Sequence, residues 1–428
     1  MVTECVAASS LPRATTRGPK DLGMVVSLVE HCHPFRLRRK GCHPESNYGL
    51  IKVMGRFEVI STATGCGARR GRIHTAHGQV DTPVFMPVGT CGAVRGLTPK
   101  QLEETGSKVL LANTYHLLLR PGAEVVAELG GLHDLIGWSG PILTDSGGYQ
   151  IFSLSSLNQV GDDGVEFCSH IDGARIYLDA KTVTEAQNSL GADIIMCLDE
   201  CVSYGCVRDK LEKAVERTLR WARECKESHN RAGQLLFGIV QGGIDLKLRE
   251  YCAGELCKLD FDGYAIGGLS VGEGHDKMVS TVEYTAPLLP EGAPRYLMGV
   301  GMPADIIAAV RAGVDMFDCV LPTRNGRNAF AFTKDGPVRL RNNANISNSR
   351  PIEDDCGCYC CRNFSRGALR HFFNVGEMLG PILVSIHNVS FYQRLMGRIR
   401  QRIEESTFCD WAERQITQDK FAAADVQC

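Results

Sequence analysis

The chain reads as an α/β protein, a (β/α)8 TIM barrel with an inserted, C-terminal zinc-binding subdomain. Three observations lead there. Eight short apolar runs alternate with helical segments, the pattern of a parallel sheet. Nearly every run ends on an acidic, polar or glycine-rich group, and barrels carry their chemistry on the loops that follow the strands. No G-x-G-x-x-G follows the first strand and no G-x4-G-K-[ST] occurs, so the open nucleotide-binding sheets lack their phosphate loop.

A length of 428 residues suits one large barrel with an appendage. Charged residues at 22% and apolar residues at 44% are those of an ordinary globular protein. No apolar run approaches the roughly 18–20 residues that cross a bilayer. The start lacks a charged end followed by an apolar block, so we expect a cytoplasmic protein without membrane partners. The 19 cysteines are scattered, and we expect reduced thiols. Net charge is −2, yet Leu321 to Arg402 holds 13 Lys and Arg against 5 Asp and Glu. Such a local excess suits either a phosphate-binding face or a solvated surface.

Residues 1–53 mix Pro, Arg, Ser and Cys without periodicity, and include the basic run Arg36 to Lys40. They read as a disordered extension, or as sequence ahead of a start at Met54. The strands are expected at Thr82–Val88, Lys108–Ala112, Pro141–Thr144, Ala192–Leu198, Leu235–Val240, Gly263–Ile266, Arg295–Met298 and Val314–Phe317. Leu211, Val215 and Leu219 recur every four residues among charges, which predicts a helix over Arg208–His229. Asp305–Ala312 reads the same way. The catalytic barrel is expected over 54–340, a zinc-binding and nucleic-acid-contacting subdomain with terminal helices over 341–410, and a tail over 411–428.

Cys356, Cys358, Cys360 and Cys361, with His387 downstream, form a Cys3His pattern. Three thiolates and one imidazole close a zinc tetrahedron and leave no position for water, so the site reads as structural, with one ion per chain. The spacing leaves Cys360 and Cys361 as alternatives for the third thiolate.

Asp145 follows an apolar run and leads into Ser146, Gly147, Gly148, Tyr149 and Gln150. The glycines let backbone approach a ligand, the acid can carry a proton, and the tyrosine offers a stacking face. Alone, Asp145 is equally consistent with a helix N-cap. Asp199 and Glu200 end a buried run; a carboxylate there can accept hydrogen bonds from a guanine-like edge. Gln241-Gly242-Gly243 and Gly267-Gly268-Leu269 are matched loops that could read a purine carbonyl. Asp318, flanked by apolar residues, can attack an anomeric carbon, with Asp145 as its acid/base partner. Arg324 and Arg327 suit phosphate contacts.

Taken together, these segments resemble the bacterial-type tRNA-guanine transglycosylase (queuine tRNA-ribosyltransferase) family. The likeness rests on Thr144 to Gly148, Val240 to Gly243, Gly267 to Glu273, Tyr296 to Gly301 and Asp315 to Arg324, in the family's order, together with the cysteine spacing. It covers about Phe57 to Arg402. The resemblance implies an irregular (β/α)8 barrel that replaces guanine at the wobble position of tRNAs with GUN anticodons by a free 7-deazaguanine base. It implies Asp318 as nucleophile and Asp145 as general acid/base. It implies Asp199, Gln241 and Gly268 as readers of the base edge with Ser146 beside them, and Tyr149 and Met298 as the stacking walls. Arg324 and Arg327 would contact the anticodon, and Cys356, Cys358, Cys361 and His387 would hold Zn2+. A homodimer is implied as well. Val271 and Cys201 match the bacterial pattern, which favours 7-aminomethyl-7-deazaguanine over queuine. Met302 stands where many bacterial members have Lys.

Overall fold

A computed structural model describes residues 56–150 and 158–421, all within one unit, Ser46–Cys428. The expectation for residues 1–53 lies outside the described residues.

The core is a ring of eight parallel strands: β1 (Val84–Pro87), β2 (Leu110–Ala112), β3 (Ile142–Thr144), β4 (Ile194–Met196), β5 (Leu235–Val240), β6 (Gly263–Ile266), β7 (Arg295–Leu297) and β8 (Met316–Cys319). Neighbours in sequence pair in parallel, β8 pairs with β1, and one bridge from Val88 to Leu111 closes the ring between β1 and β2. All eight expected runs became barrel strands. Those of β5 and β6 have the expected bounds, whereas β3 begins one residue late, because Pro141 has no N–H to give the ladder.

Side chains alternate across the ring wall. Val84, Met86, Leu111, Leu143, Ile194, Met196, Phe237, Ile239, Ala265, Tyr296 and Met316 fill the interior. Phe85, Leu110, Ile142, Ile195, Leu236, Ile266, Leu297 and Phe317 face the surrounding helices. The expected helix after β4 spans Arg208–Ser228 and buries Val215, Leu219 and Ala222 along one stripe. The one after β7 spans Pro303–Arg311, with proline in its first turn, where a missing N–H costs nothing.

Three elements were not legible beforehand. An antiparallel sheet of Phe57–Thr62, Arg69–Thr75 and Gly78–Thr82 plugs the bottom of the ring, with Phe57, Ile73 and Val80 joining the interior core. Arg69 bolts it there through a buried ion pair, Nε to Asp315 Oδ1 at 3.0 Å and Nη2 to Oδ2 at 2.6 Å. A second small sheet, Asn158–Val160, Val165–Cys168 and Arg175–Leu178, is inserted after β3. A hairpin of Phe330–Thr333 and Gly336–Arg339 follows β8 and the short helix Leu321–Arg327.

Helix Leu379–Glu404 binds the C-terminal part to the barrel wall. Tyr392 donates to Gly301 O at 2.5 Å, Gln393 Nε2 to Phe85 O at 3.1 Å, and Arg400 Nη1 to Pro83 O at 2.6 Å. It presses so close to helix Leu321–Arg327 that a Cβ at Gly326 would meet Ser385 N at 2.8 Å. Helix Phe408–Thr417 buries Trp411 and Ala412, so the boundary expected after residue 410 falls inside it. The expectation of free thiols is corrected at one pair: Cys66 and Cys409, 343 residues apart, form a disulfide with Cα atoms 6.5 Å apart. A separation that long leaves no trace in local sequence.

Candidate active site and metal centre

The interior register, carried two residues beyond an inward-facing strand residue, selects what faces the barrel mouth. Asn113 follows Leu111, Asp145 follows Leu143, Gln241 follows Ile239, Gly267 follows Ala265, Met298 follows Tyr296, and Asp318 follows Met316. Apolar side chains fill the lower layers, and the next layer up is polar. A pocket of about 450 Å³ opens above it, within the range of small-ligand sites.

Asp145 and Asp318 line this one pocket from β3 and β8. Asp145 is buried and held by three donors: Asn113 Nδ2 at 2.5 Å, Thr114 N at 2.8 Å and Gln150 Nε2 at 2.9 Å. Burial pushes its pKa up to about 6; those donors oppose the rise, and the charge of Asp318 adds to it. Asp318 is partly open to the pocket and otherwise enclosed by protein. Desolvation raises its pKa, while Gly299 N at 2.8 Å and the Tyr296 hydroxyl at 2.6 Å favour the carboxylate. Both bonds fall on Oδ1.

Asp199 faces the same space. Gln241 Nε2 donates to its Oδ2 at 2.7 Å and Ser146 Oγ to its Oδ1 at 3.3 Å. Burial pushes it to about 6 as well. Gly148 must be small, since a Cβ there would lie 2.7 Å from Asp199 Oδ1. Gly268 has φ +65°, and a Cβ there would collide with the Gln241 amide. Tyr149, 54% exposed, and Met298 are both at the pocket wall. Arg324 reaches the rim. Arg327 lies three residues on along the same helix and outside the pocket lining, half-buried, its pKa lowered by burial and by Arg95 and Arg324. Gln241 is also set back from the lining and meets the pocket through Asp199.

Cys356, Cys358, Cys361 and His387 form a buried cluster fit to bind a metal ion. His387 Nδ1 stands 3.6, 3.8 and 3.3 Å from the three sulfurs. A tetrahedral zinc ion has an N-to-S edge of about 3.5 Å, from bonds of about 2.0 and 2.3 Å. His387 Nε2 is 2.8 Å from Phe332 O, which turns Nδ1 toward the sulfurs. Cys361, not Cys360, joins the cluster; Cys360 is fully buried beside it. A second grouping, His77, His133 and Asp193, differs. Its imidazoles are stacked at 3.6 Å with 17° between planes. Their nitrogens run side by side, each to one Asp193 oxygen, at 2.9 and 3.1 Å. That is a hydrogen-bonded clasp.

A family model described as queuine tRNA-ribosyltransferase matches residues 64–420. The chain belongs to the queuine tRNA-ribosyltransferase family. It is 51% identical over 355 residues to the queuine tRNA-ribosyltransferase of Syntrophobacter fumaroxidans, covering 83% of this chain and 95% of that relative. It is 50% identical to that of Desulforamulus reducens, over 81% of this chain and 94% of the relative. For that of Azoarcus sp. the figures are 47%, 84% and 97%. The family is one of glycosyltransferase-type enzymes. Among the described residues, no helix is long and apolar enough to cross a membrane.

Against this family background, the structure adds pocket residues that sequence reasoning did not single out. Asn113 and Gln150 hold Asp145, and Tyr296 holds Asp318. Asn113 and Asp145 share the two-residue step past an inward strand residue, so that signal was present. Tyr296 carried no role of its own in the sequence, and only the neighbouring strand shows what its hydroxyl meets.

Proposed function

We propose that this enzyme exchanges the wobble guanine of GUN-anticodon tRNAs for a 7-deazaguanine base through a covalent ribosyl–enzyme intermediate. The observation that carries the reading is the pair Asp145 and Asp318 across one pocket, with a base-reading carboxylate, Asp199, beside them. The free oxygen of Asp318 attacks C1′ of the ribose, and the C1′–N9 bond breaks. Asp145, whose raised pKa keeps part of it protonated near neutrality, gives a proton to the departing guanine. The incoming base then loses its N9 proton to Asp145 and attacks C1′, and Asp318 leaves. Two displacements retain the configuration.

Asp199, Gln241 and the Gly268 backbone read the base edge, with Ser146 steadying Asp199. Tyr149 and Met298 cover its faces. Arg324 and Arg327 hold the anticodon stem-loop, aided by the subdomain after the barrel. The cysteine–histidine centre holds Zn2+, which supplies a structural cross-link from the cysteine knuckle to helix Leu379–Glu404. Val271 and Cys201 line the pocket and favour 7-aminomethyl-7-deazaguanine over the bulkier queuine. The enzyme works in the cytoplasm as a homodimer.

The test is incubation with a transcript tRNA bearing a GUN anticodon and labelled guanine or a deazaguanine base, followed by mass analysis of the RNA. Wild-type protein incorporates the base and forms a denaturant-stable tRNA adduct. Asp318→Asn loses both, by at least about 10³-fold in rate. Near-wild-type exchange in Asp318→Asn or Asp145→Asn would overturn the reading.

A further inference from the structure

Helix Leu246–Cys257 carries a cation to which the exchange chemistry gives no task. Arg249 is 0% exposed, and its Nη2 has no hydrogen-bond partner. Its hydrogen bonds go to the backbone carbonyls of Gly243 and Val240 and not to a carboxylate. Burial pushes its pKa down to about 10, so it stays charged at neutral pH. A core cation without a bonded counter-charge is costly, and it needs a reason.

What it grips supplies one. Nε donates to Gly243 O at 2.8 Å and Nη1 to Val240 O at 2.9 Å. Those carbonyls bracket Gln241 and Gly242. The loop between them is soft by composition, with Gly242 at φ +134° and Gly243 at φ +54°. Gly242 is pressed against the helix, where a Cβ would meet Arg249 N at 2.9 Å. Gln241 N in turn reaches Cys252 Sγ of the same helix at 3.3 Å, and its side chain holds Asp199 at 2.7 Å. A planar guanidinium can clamp two carbonyls at fixed separation, which a lysine ammonium on its flexible stem cannot do.

We propose that Arg249 is a positioning residue for base selection: it clamps the backbone on both sides of Gln241, so that Gln241 holds Asp199 in one rigid position facing the base. The proposal rests on the exchange reaction proposed above. It acts through Gln241 alone, so its loss weakens recognition of the free base and leaves the grip on tRNA intact.

The experiment measures KM for free guanine, KM for tRNA and kcat in wild type, Arg249→Lys, Gln241→Ala and the double variant. We expect Arg249→Lys to raise the guanine KM about tenfold or more, with the tRNA KM within about twofold. In the Gln241→Ala background the same change should add nothing, because the two act as one unit. If Arg249→Lys does not fold, Gly242→Ala displaces the same clamp and takes its place in the cycle. Additive effects in the cycle, or an unchanged guanine KM in the folded variant, would overturn the proposal while leaving base exchange itself standing. A wild-type protein that incorporates no guanine would remove the exchange reading and this inference together.

Discussion

One oxygen of Asp318 is already engaged: Tyr296 and Gly299 both bond to Oδ1, and neither bonds to Oδ2. Tyr296 thus orients the proposed nucleophile and shares its charge. Tyr296→Phe should lower kcat about tenfold with little change in guanine KM, measured by steady-state exchange, since one neutral hydrogen bond to a charged group is lost. The two half-reactions should also separate with pH. Asp145, at about 6, must be protonated to release guanine and ionised to accept the proton of the incoming base. Single-turnover guanine release should therefore fall as pH rises through about 6, and attack by the incoming base should rise over the same range. Release should fall again at acid pH, where Asp318, itself raised by burial, loses its charge. A pH-independent ratio of the two rates would contradict the role given to Asp145.

Among the elements, the bottom sheet shows how a plug is fastened. His77 lies in the turn between Arg69–Thr75 and Gly78–Thr82, Asp193 just ahead of β4, and His133 on the short helix Leu132–Ile136. The hydrogen bond to Asp193 raises the His77 pKa, against its partial burial. Burial would raise Asp193, but bonds from His133 and His77 hold it well below the carboxylate range. The contribution of His77 is complete below its unfolded value near 6.5 and is lost as pH rises through its higher folded value. That of Asp193 is present above about 4 and is lost as pH falls through its depressed folded value. His77→Ala should lower Tm by about 2–4 °C at pH 5.5, and by clearly less at pH 8.5, in paired thermal melts. An equal drop at both values would mean that packing alone holds the turn.

For the whole molecule, the metal cluster is a joint between segments that local sequence does not connect. His387 belongs to helix Leu379–Glu404, which also grips Gly301 O and Phe85 O of the barrel, while the cysteines sit on the knuckle after the hairpin. Metal analysis of the purified protein should find one zinc per chain. Stripping it with a strong chelator should lower Tm by more than about 5 °C, because binding energy at a structural site is folding energy. It should weaken tRNA binding more than guanine binding. Retention of both after complete removal would leave the cluster without the proposed role.

The sequence by itself determined the ring. Eight apolar runs, the helical segments between them and polar strand ends placed Asp145, Asp199 and Asp318 at one mouth, and the cysteine spacing with His387 outlined the metal cluster. These are local signals, each carried by a few adjacent residues. Tertiary structure placed Cys361, the ligand the resemblance implied, in the cluster where spacing alone left Cys360 open. It alone gave Asp315, three residues before Asp318 of the pocket, to the Arg69 ion pair. It also supplied the Tyr296 bond, the Arg249 clamp, the bottom plug and the Cys66–Cys409 link. Apart from the Arg249 clamp, whose carbonyl partners lie within 9 residues of it, most of these contacts join residues far apart in the chain, and a side chain's partner at that distance leaves no periodic mark in the sequence.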